Sequence, residues 1–358
     1  MRIGLIVLLI PTIAYGIGIA LERLVFARRV AAQRWLPDVF RAPRVLDPEL
    51  GIVGSPFEVD SRNAAVTPHG ALTVVLHESL VARSPAERNA DEEWLRRKLF
   101  EVDLAAVVPE IHCFPGTTAA QRARAIAGRE ASMIVFMITP EDVWLADEAD
   151  GATRVRLQPG QDQGTLEFVA ADEGAAQDSL RHIDERESSI ERRLPSWIPL
   201  ARVLTSDASR LVDSGDVSMP SWLLPWRREG SQGESAHYAP LERAMQWLAT
   251  HRQRQPVLVV RLPATFEVAD DRLTQLMTEL ELDPSHIESR RFERRVQDIV
   301  MSHGVDYLDL RSVLYDVERQ EDASAYESMA VLAPVSERSR RVVLAAIARA
   351  LRRSVAPR

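Results

Sequence analysis

Residues 72–79 read Leu-Thr-Val-Val-Leu-His-Glu-Ser, and this stretch decides the fold. An apolar, β-favouring run leads directly into a short polar turn that carries Ser79, and a helical pattern begins at Asp91. A buried strand that feeds a loop and then a helix is typical of the first unit of a parallel α/β sheet. Ligand sites of such sheets lie at the carboxyl ends of the strands. Ser79 is therefore a candidate site residue, and the alternative is a polar loop residue or helix cap.

Strand and helix patterns alternate along most of the chain after this stretch. Short apolar runs of strand length are followed by longer amphipathic stretches, which is the pattern of strands joined by crossover helices. We predict about five parallel strands with interleaved helices, and hence a three-layer αβα, flavodoxin-like sheet. The predicted strands are 72–76, 104–113, 131–138, 256–262 and 305–310, and the predicted helices are 91–102, one ending at 128, 238–251, 270–282, 285–303 and 336–352.

The alternation breaks between about residues 145 and 235, which we interpret as an insertion in a domain that spans 71–354. Residues 153–157 and 164–170 are expected to pair as a hairpin around a Pro-Gly turn. Residues 196–212 are expected to be helical.

The insertion also contains two tryptophans, Trp222 and Trp226, in a short apolar stretch. One interpretation is local packing in the core. The other is a contact with the membrane interface or with a partner protein, since an exposed apolar patch marks such surfaces.

Composition excludes several classes of function. The chain of 358 residues is 46% hydrophobic and 27% charged, which is the balance of a globular protein. Its net charge of -8 argues against a nucleic-acid partner. The single cysteine, Cys113, excludes an internal disulfide and a cysteine-rich zinc site, and we expect it to be a buried structural thiol. The histidines are scattered and no Gly-rich phosphate loop is present, so neither a metal nor a cofactor is expected.

The amino terminus carries a long apolar stretch. Residues 3–21 contain no charged side chain, and a helix of this length spans roughly 28 Å, close to the hydrocarbon thickness of a bilayer. We predict a transmembrane anchor over 1–24, followed by a juxtamembrane helix and linker over 25–70; a cleaved signal peptide is the alternative. By the positive-inside rule, the arginines after the span favour a cytoplasmic main domain. These are Arg23, Arg28, Arg29 and Arg34.

Two polar motifs precede the first strand: residues 47–51 read Asp-Pro-Glu-Leu-Gly, and residues 60–63 read Asp-Ser-Arg-Asn. With the order and spacing of the strands over about residues 45–352, they make the chain resemble the SGNH (GDSL-type) hydrolase superfamily. It looks most like the membrane-anchored, extracytoplasmic members that are associated with cell-surface polysaccharide acylation. The resemblance implies an SGNH-like α/β fold with its site at the carboxyl ends of the strands.

The family's sequence blocks imply roles for individual residues. The block that ends in Gly-Asp-Ser in the family ends in His-Glu-Ser here, which puts Ser79 at the nucleophile position. Gly116 matches the glycine whose backbone N–H stabilises the oxyanion, and Glu141 replaces the oxyanion Asn. In the last block, Ser328 and Val331 replace the Asp and the His.

These replacements damage the hydrolytic chemistry that the family performs. Valine cannot act as the base that activates a serine, and an ionised glutamate repels the oxyanion that the Asn stabilises. The combination predicts a fold whose hydrolytic site has been lost, unless another base is recruited. His77 and His112 are the candidates for that base. The candidates to orient its ring are Glu141, Asp322 and Glu327.

The sequence thus favours a membrane-anchored, catalytically impaired SGNH-like protein that is a binding or scaffolding subunit in cell-envelope polysaccharide modification or export. The resemblance implies a membrane acyltransferase or envelope-glycan machinery as partner and an acylated sugar as ligand. It also implies a single-pass protein whose main domain is extracytoplasmic, on the periplasmic side, against the arginine count. The alternative is an active serine esterase or O-acyltransferase that uses Ser79 with a non-standard His base. A third hypothesis is an interaction protein that presents the tryptophans of the insertion.

Overall fold

The centre of the molecule, in the computed structural model, is a five-stranded parallel sheet. Its strands are β1 (Ala71–Leu76), β2 (Val108–Cys113), β3 (Met133–Ile138), β4 (Val257–Arg261) and β5 (Asp306–Asp309). They lie in the order β2-β1-β3-β4-β5, and all neighbours are parallel. The five strands predicted from the sequence are confirmed, with ends that differ by a few residues.

The structure describes only part of the chain, and every structural statement below concerns that part. The described residues are 35, 44–54, 71–80, 85–114, 116–127, 131–143, 152–160, 165–182, 211–214, 217–228, 234–252, 255–320, 324–328 and 330–355.

Helices cover both faces of the sheet, so the α/β architecture is confirmed. The helices include α1 (Pro85–Glu101), α2 (Ala119–Ile126), α3 (Glu234–Arg252), α4 (Asp270–Glu279), α5 (Arg291–Ser302), α6 (Arg311–Glu318) and α7 (Glu337–Val355), and a single helical turn, Thr265–Val268, follows β4. The apolar side chains of α2, α3 and α5 pack on one face of the sheet, and those of α1, α6 and α7 pack on the other.

Strand β3 shows why the sheet is covered on both sides. All six of its residues are buried. Ile134, Phe136 and Ile138 belong to one core cluster, whereas Met133, Val135 and Met137 belong to the other. Alternate side chains of a strand point to opposite faces, so a strand without polar residues must be buried on both.

Helix α1 begins earlier than the sequence indicated, at Pro85 rather than Asp91. Proline is favoured in the first helical turn because its φ angle is already helical and its missing N–H has no partner there anyway. Asp91 therefore lies inside the helix, where it pairs with Arg340 of α7 at 3.1 Å. The residue predicted to begin the helix instead joins two helices.

The insertion contains two hairpins. Residues Arg156–Pro159 pair in antiparallel register with Leu166–Val169, which confirms the predicted hairpin. Leu211–Ser214 pair with Val217–Pro220, so the helix predicted over 196–212 is wrong at its last two residues. Cross-strand pairing overrides local helical propensity at that point. Residues 196–210 lie outside the described residues.

The tryptophans of the insertion are core residues. Trp222 and Trp226 are 1% and 0% exposed. Trp226 packs edge-on against Phe266 and at a tilt against Phe292 of α5. The interpretation of local core packing is therefore confirmed, and the alternative, that these two rings contact a membrane or a partner, is wrong. Cys113 is buried as predicted.

Part of the predicted linker is an ordered hairpin, Arg44–Asp47 with Gly51–Gly54, that packs on the sheet domain. The amide of Gln121 donates hydrogen bonds to the carbonyls of Leu50 and Ile52, at 2.6 and 3.0 Å. Gly51 has a φ of +79°, and a Cβ at this position would meet the carbonyl oxygen of Thr153 at 2.3 Å. Only glycine fits such a close, left-handed turn.

The predicted anchor over 1–24 and most of the juxtamembrane segment lie outside the described residues. In the part of the chain that is described, no helix has the length and apolar character needed to cross a bilayer.

A buried cation joins the ends of β4 and β5. Arg261 is 0% exposed and contacts both carboxylate oxygens of Glu267, at 2.8 and 3.0 Å. Its Nε and Nη2 donate to Asp309 at 3.1 Å each. Glu267 is almost as deeply buried as Arg261. Removing one member of such a group leaves buried charge without compensation.

Replacing Arg261 with Met is expected to lower the free energy of unfolding by about 3–5 kcal/mol, because Glu267 loses its cation. Urea unfolding followed by tryptophan fluorescence measures the change. Arg181→Met is the control, since Arg181 forms an exposed pair with Asp178 and such pairs contribute little. Equal losses of stability in the two variants would contradict the prediction.

Candidate active site

The strand order reverses between β1 and β3, and the candidate site lies there. β1 leads directly into His77 and the short 3-10 turn Glu78–Leu80, which carries Ser79. β3 leads into the turn that carries Glu141. The two strands are hydrogen-bonded neighbours in parallel register, so their following loops emerge side by side. A reversal of this kind opens a crevice at the carboxyl ends of the strands, where α/β proteins bind ligands.

Three side chains form a chain of hydrogen bonds in this position. His77 Nδ1 lies 3.0 Å from Ser79 Oγ, and His77 Nε2 lies 2.8 Å from Glu141 Oε2. His77, Ser79 and Glu141 are 8%, 6% and 1% exposed. A hydroxyl, an imidazole and a carboxylate that are hydrogen-bonded in this order are the parts of an activated nucleophile.

The hydrogen bonds of His77 define its tautomer. The backbone N–H of Ser79 donates to His77 Nδ1 at 3.1 Å, so Nδ1 carries a lone pair. Nε2 therefore carries the proton of the neutral ring and donates it to Glu141. The basic nitrogen faces the serine and the protonated nitrogen faces the carboxylate. The two ring nitrogens have exchanged the roles that they have in the serine-protease triad.

The hydroxyl of Ser79 has a second acceptor. Its Oγ lies 3.0 Å from the carbonyl oxygen of Leu332, the same distance as from His77 Nδ1. A serine hydroxyl has a single proton to donate. The Leu332 carbonyl and the His77 ring therefore compete for that proton.

A buried ion pair fixes the turn that presents Glu141. Asp142 contacts Arg122 of α2 with both carboxylate oxygens at 2.7 Å and accepts from the Thr139 N–H at 3.0 Å. Arg122 also donates to the carbonyls of Thr117 and Met137. Burial raises the pKa of Asp142, and Arg122 opposes that rise. The turn after β3 and the loop after β2 are thus held by one guanidinium.

Two further positions implied by the family resemblance lie at this edge of the sheet. Gly116 follows β2 with a φ of +58°, and its carbonyl accepts a hydrogen bond from Arg154 at 2.8 Å. Val331 is fully buried, and its N–H and carbonyl bond to the backbone of Trp35 and Thr265.

The other candidate residues contact groups outside the triad. Ser328 is exposed, and its carbonyl accepts from Arg272. His112 is buried on β2, where its Nε2 lies 3.6 Å from Glu110 and its ring stacks on Phe114. Glu327 is exposed, and Asp322 lies outside the described residues. Of the predicted bases and orienting acids, the structure brings together His77 and Glu141.

Sequence reasoning missed the supports of the site. Arg122 lies on the buried side of α2. Its burial is the signal that sets it apart, and burial is seen in the structure and not in the sequence. The Leu332 carbonyl is a main-chain group, which no side-chain pattern identifies. Within the described residues, no cluster of His, Cys, Asp and Glu is arranged to hold a metal ion.

Comparison with protein-family models, with curated proteins and with solved structures found no match to this chain. The geometry around His77 is therefore the observation on which the functional argument rests.

Nitrogen NMR of the His77 ring is expected to show a protonated Nε2 and an unprotonated Nδ1 at neutral pH. Ser79→Ala should keep this tautomer, because the backbone N–H that donates to Nδ1 remains. Glu141→Leu should weaken the preference, because Nε2 loses its acceptor. A ring protonated at Nδ1 in the wild-type chain would contradict the arrangement.

Proposed function

We propose that this chain is a serine esterase or O-acyltransferase in which Ser79 is the nucleophile and His77 is the base. The observation that carries the proposal is the 3.0 Å separation of His77 Nδ1 and Ser79 Oγ, with Glu141 on the opposite ring nitrogen. A general base must reach the proton that it removes directly or through one water. His77 meets this requirement, whereas His112 lies close to Glu110 and stacks on Phe114.

The reaction proceeds in two steps, acylation of Ser79 and deacylation. Ser79 Oγ attacks the acyl carbon of an ester while its proton passes to His77 Nδ1. The bond from the acyl carbon to the leaving oxygen then breaks, and His77 returns the proton to that oxygen. Water or a sugar hydroxyl next attacks the acyl-serine, gives its proton to His77, and releases Ser79, which regains the proton. Water gives an esterase, and a sugar hydroxyl gives an acyltransferase.

Glu141 stabilises the protonated form of His77. When His77 accepts a proton, Glu141 Oε2 faces an imidazolium at 2.8 Å in a buried setting, where opposite charges attract strongly. This contact offsets the negative charge that a glutamate would otherwise bring to the oxyanion. The other oxygen, Oε1, is buried without a hydrogen-bond partner among the described residues. A buried polar group without a partner requires an explanation, and a catalytic role is one such explanation.

The sheet supports an SGNH-like setting for the reaction. The strand order 2-1-3-4-5 is that of flavodoxin-like sheets, which bind ligands at the β1/β3 switch point. Gly116, in a left-handed turn after β2, is the proposed oxyanion donor. From the sequence resemblance we further propose an acylated envelope polysaccharide as substrate and a membrane acyltransferase as partner. The same resemblance supports a membrane-anchored, extracytoplasmic protein.

A second candidate function is a non-hydrolytic binding or scaffolding subunit of the same machinery. It is favoured by the contact of the Leu332 carbonyl with Ser79 Oγ, which holds the hydroxyl in a bond that does not activate it. It is also favoured by Val331, which is buried where the family has its His. In this case Ser79 is a remnant, and the site binds an acylated sugar without cleaving it.

Hydrolysis of an aryl acetate by the full chain separates the two functions. Ser79→Ala should reduce the rate to the uncatalysed background, and His77→Gln should reduce it by about 10²–10⁴-fold, as expected for loss of a general base. The exposed His182→Gln is the control and should leave the rate unchanged.

Two outcomes would contradict the proposal. Equal rates for wild type and Ser79→Ala would favour the binding subunit. A larger loss of rate in His112→Gln than in His77→Gln would show that His112, and not His77, is the base.

A further inference from the structure

The hydroxyl of Ser79 lies between two acceptors at equal distance, so its direction depends on what holds those acceptors in place. His77 is held by Glu141. Leu332 belongs to a strap, residues 330–335, that crosses the carboxyl ends of β1 and β4. The strap thus supplies one of the two acceptors between which the proton of Ser79 is placed.

The strap is fixed on both sides of Leu332 by backbone hydrogen bonds. Val331 donates to the carbonyl of Trp35 at 2.7 Å and accepts from the N–H of Thr265 at 2.9 Å. Val335 donates to the carbonyl of Ser79 at 2.6 Å. The side chains of Val331 and Leu332 are 0% and 2% exposed. The carbonyl of Leu332 is therefore held against Ser79 Oγ.

One of these supports comes from a distant part of the chain. Trp35 precedes both the first hairpin and the sheet in sequence, yet it is 1% exposed in the core cluster that contains Val331 and Leu332. Its ring N–H donates to Glu279 of α4 at 2.9 Å. The ring thus anchors the Trp35 carbonyl, and that carbonyl anchors Val331.

We propose that Trp35 is a positioning residue which, through Val331 and Leu332, holds the Ser79 hydroxyl in an inactive hydrogen bond. When Trp35 is in place, the proton of Ser79 points to the Leu332 carbonyl. When Trp35 leaves, the strap loses one of its backbone bonds, Leu332 withdraws, and the proton turns to His77 Nδ1. The site is then ready for acyl transfer. The consequence for catalysis rests on the proposed function; the direction of the proton does not.

This arrangement couples the site to the segment that precedes the sheet domain. Trp35 lies between the predicted anchor and β1, so a partner or a membrane event that draws this segment away acts directly on the Ser79 hydrogen bond. The acid-base residues themselves do not have to move, because Glu141 and His77 are held by groups outside the strap.

The test uses the full chain with two variants that release the anchor. Trp35→Ala removes the buried ring. Glu279→Ala keeps the ring and removes the acceptor of its N–H, together with the exposed contact of Glu279 with Gln275. It keeps the test valid if Trp35→Ala does not fold. Trp247→Ala is the matched control. Trp247 lies on α3 and is buried in the same core cluster, but its ring packs against Phe168 of the insertion hairpin.

Two measurements are made on each variant. The first is the nitrogen NMR resonance of His77 Nδ1, which shifts when the ring nitrogen accepts the Ser79 proton. The second is the rate at which a small fluorophosphonate labels Ser79, followed by intact mass. We expect Trp35→Ala and Glu279→Ala to shift the Nδ1 resonance and to raise the labelling rate by about three- to tenfold, the range that corresponds to one net hydrogen bond. Trp247→Ala should change neither.

The outcomes separate this inference from the proposed function. If the Nδ1 resonance shifts in the released variants, and the shift disappears when Ser79→Ala is added, the positioning role stands even without labelling. Absence of labelling in every variant would then refute the proposed function alone. If Ser79 is labelled but neither released variant shifts the resonance or speeds the reaction, the inference is wrong and the proposed function stands.

Discussion

The burial of the sheet on both faces is the constraint on which the rest of the structure depends. Strands such as β3 carry no polar side chain, so helices must cover them on each side. Parallel strands with crossover helices direct all their following loops to one edge. Polar groups that follow neighbouring strands therefore meet at that edge, and the candidate site is composed of them.

Two buried groups of salt bridges fix the conformation of that edge. Arg122 and Asp142 hold the turns after β2 and β3, and Arg261 with Glu267 and Asp309 holds the ends of β4 and β5. Buried pairs of this kind contribute little net stability, because desolvation offsets their attraction. Their effect is geometric, since each guanidinium binds several oxygens in fixed directions. The Glu141 carboxylate can point at His77 because the neighbouring Asp142 is held in this way.

The candidate site contains both an activating and a restraining interaction. His77 offers Ser79 a base whose tautomer is set by two hydrogen bonds, whereas Leu332 offers the same hydroxyl a neutral acceptor. The two proposed functions differ here in the direction of a single proton. For this reason, the departures from the motifs of the family that the sequence resembles do not by themselves decide between the two proposed functions. Glu141, the residue expected to repel the oxyanion, is hydrogen-bonded to His77, the proposed base.

The sequence by itself determined the elements that depend on neighbouring residues. The five strands, the alternation of helices, the hairpin of the insertion and the position of Ser79 at the end of β1 all follow from apolar periodicity and turn residues. Only the tertiary structure decided which groups meet. Glu141 is 64 residues from His77, and Leu332 is 253 residues from Ser79. Such contacts depend on the order of the strands and on main-chain groups, and neither leaves a pattern in a local stretch of sequence.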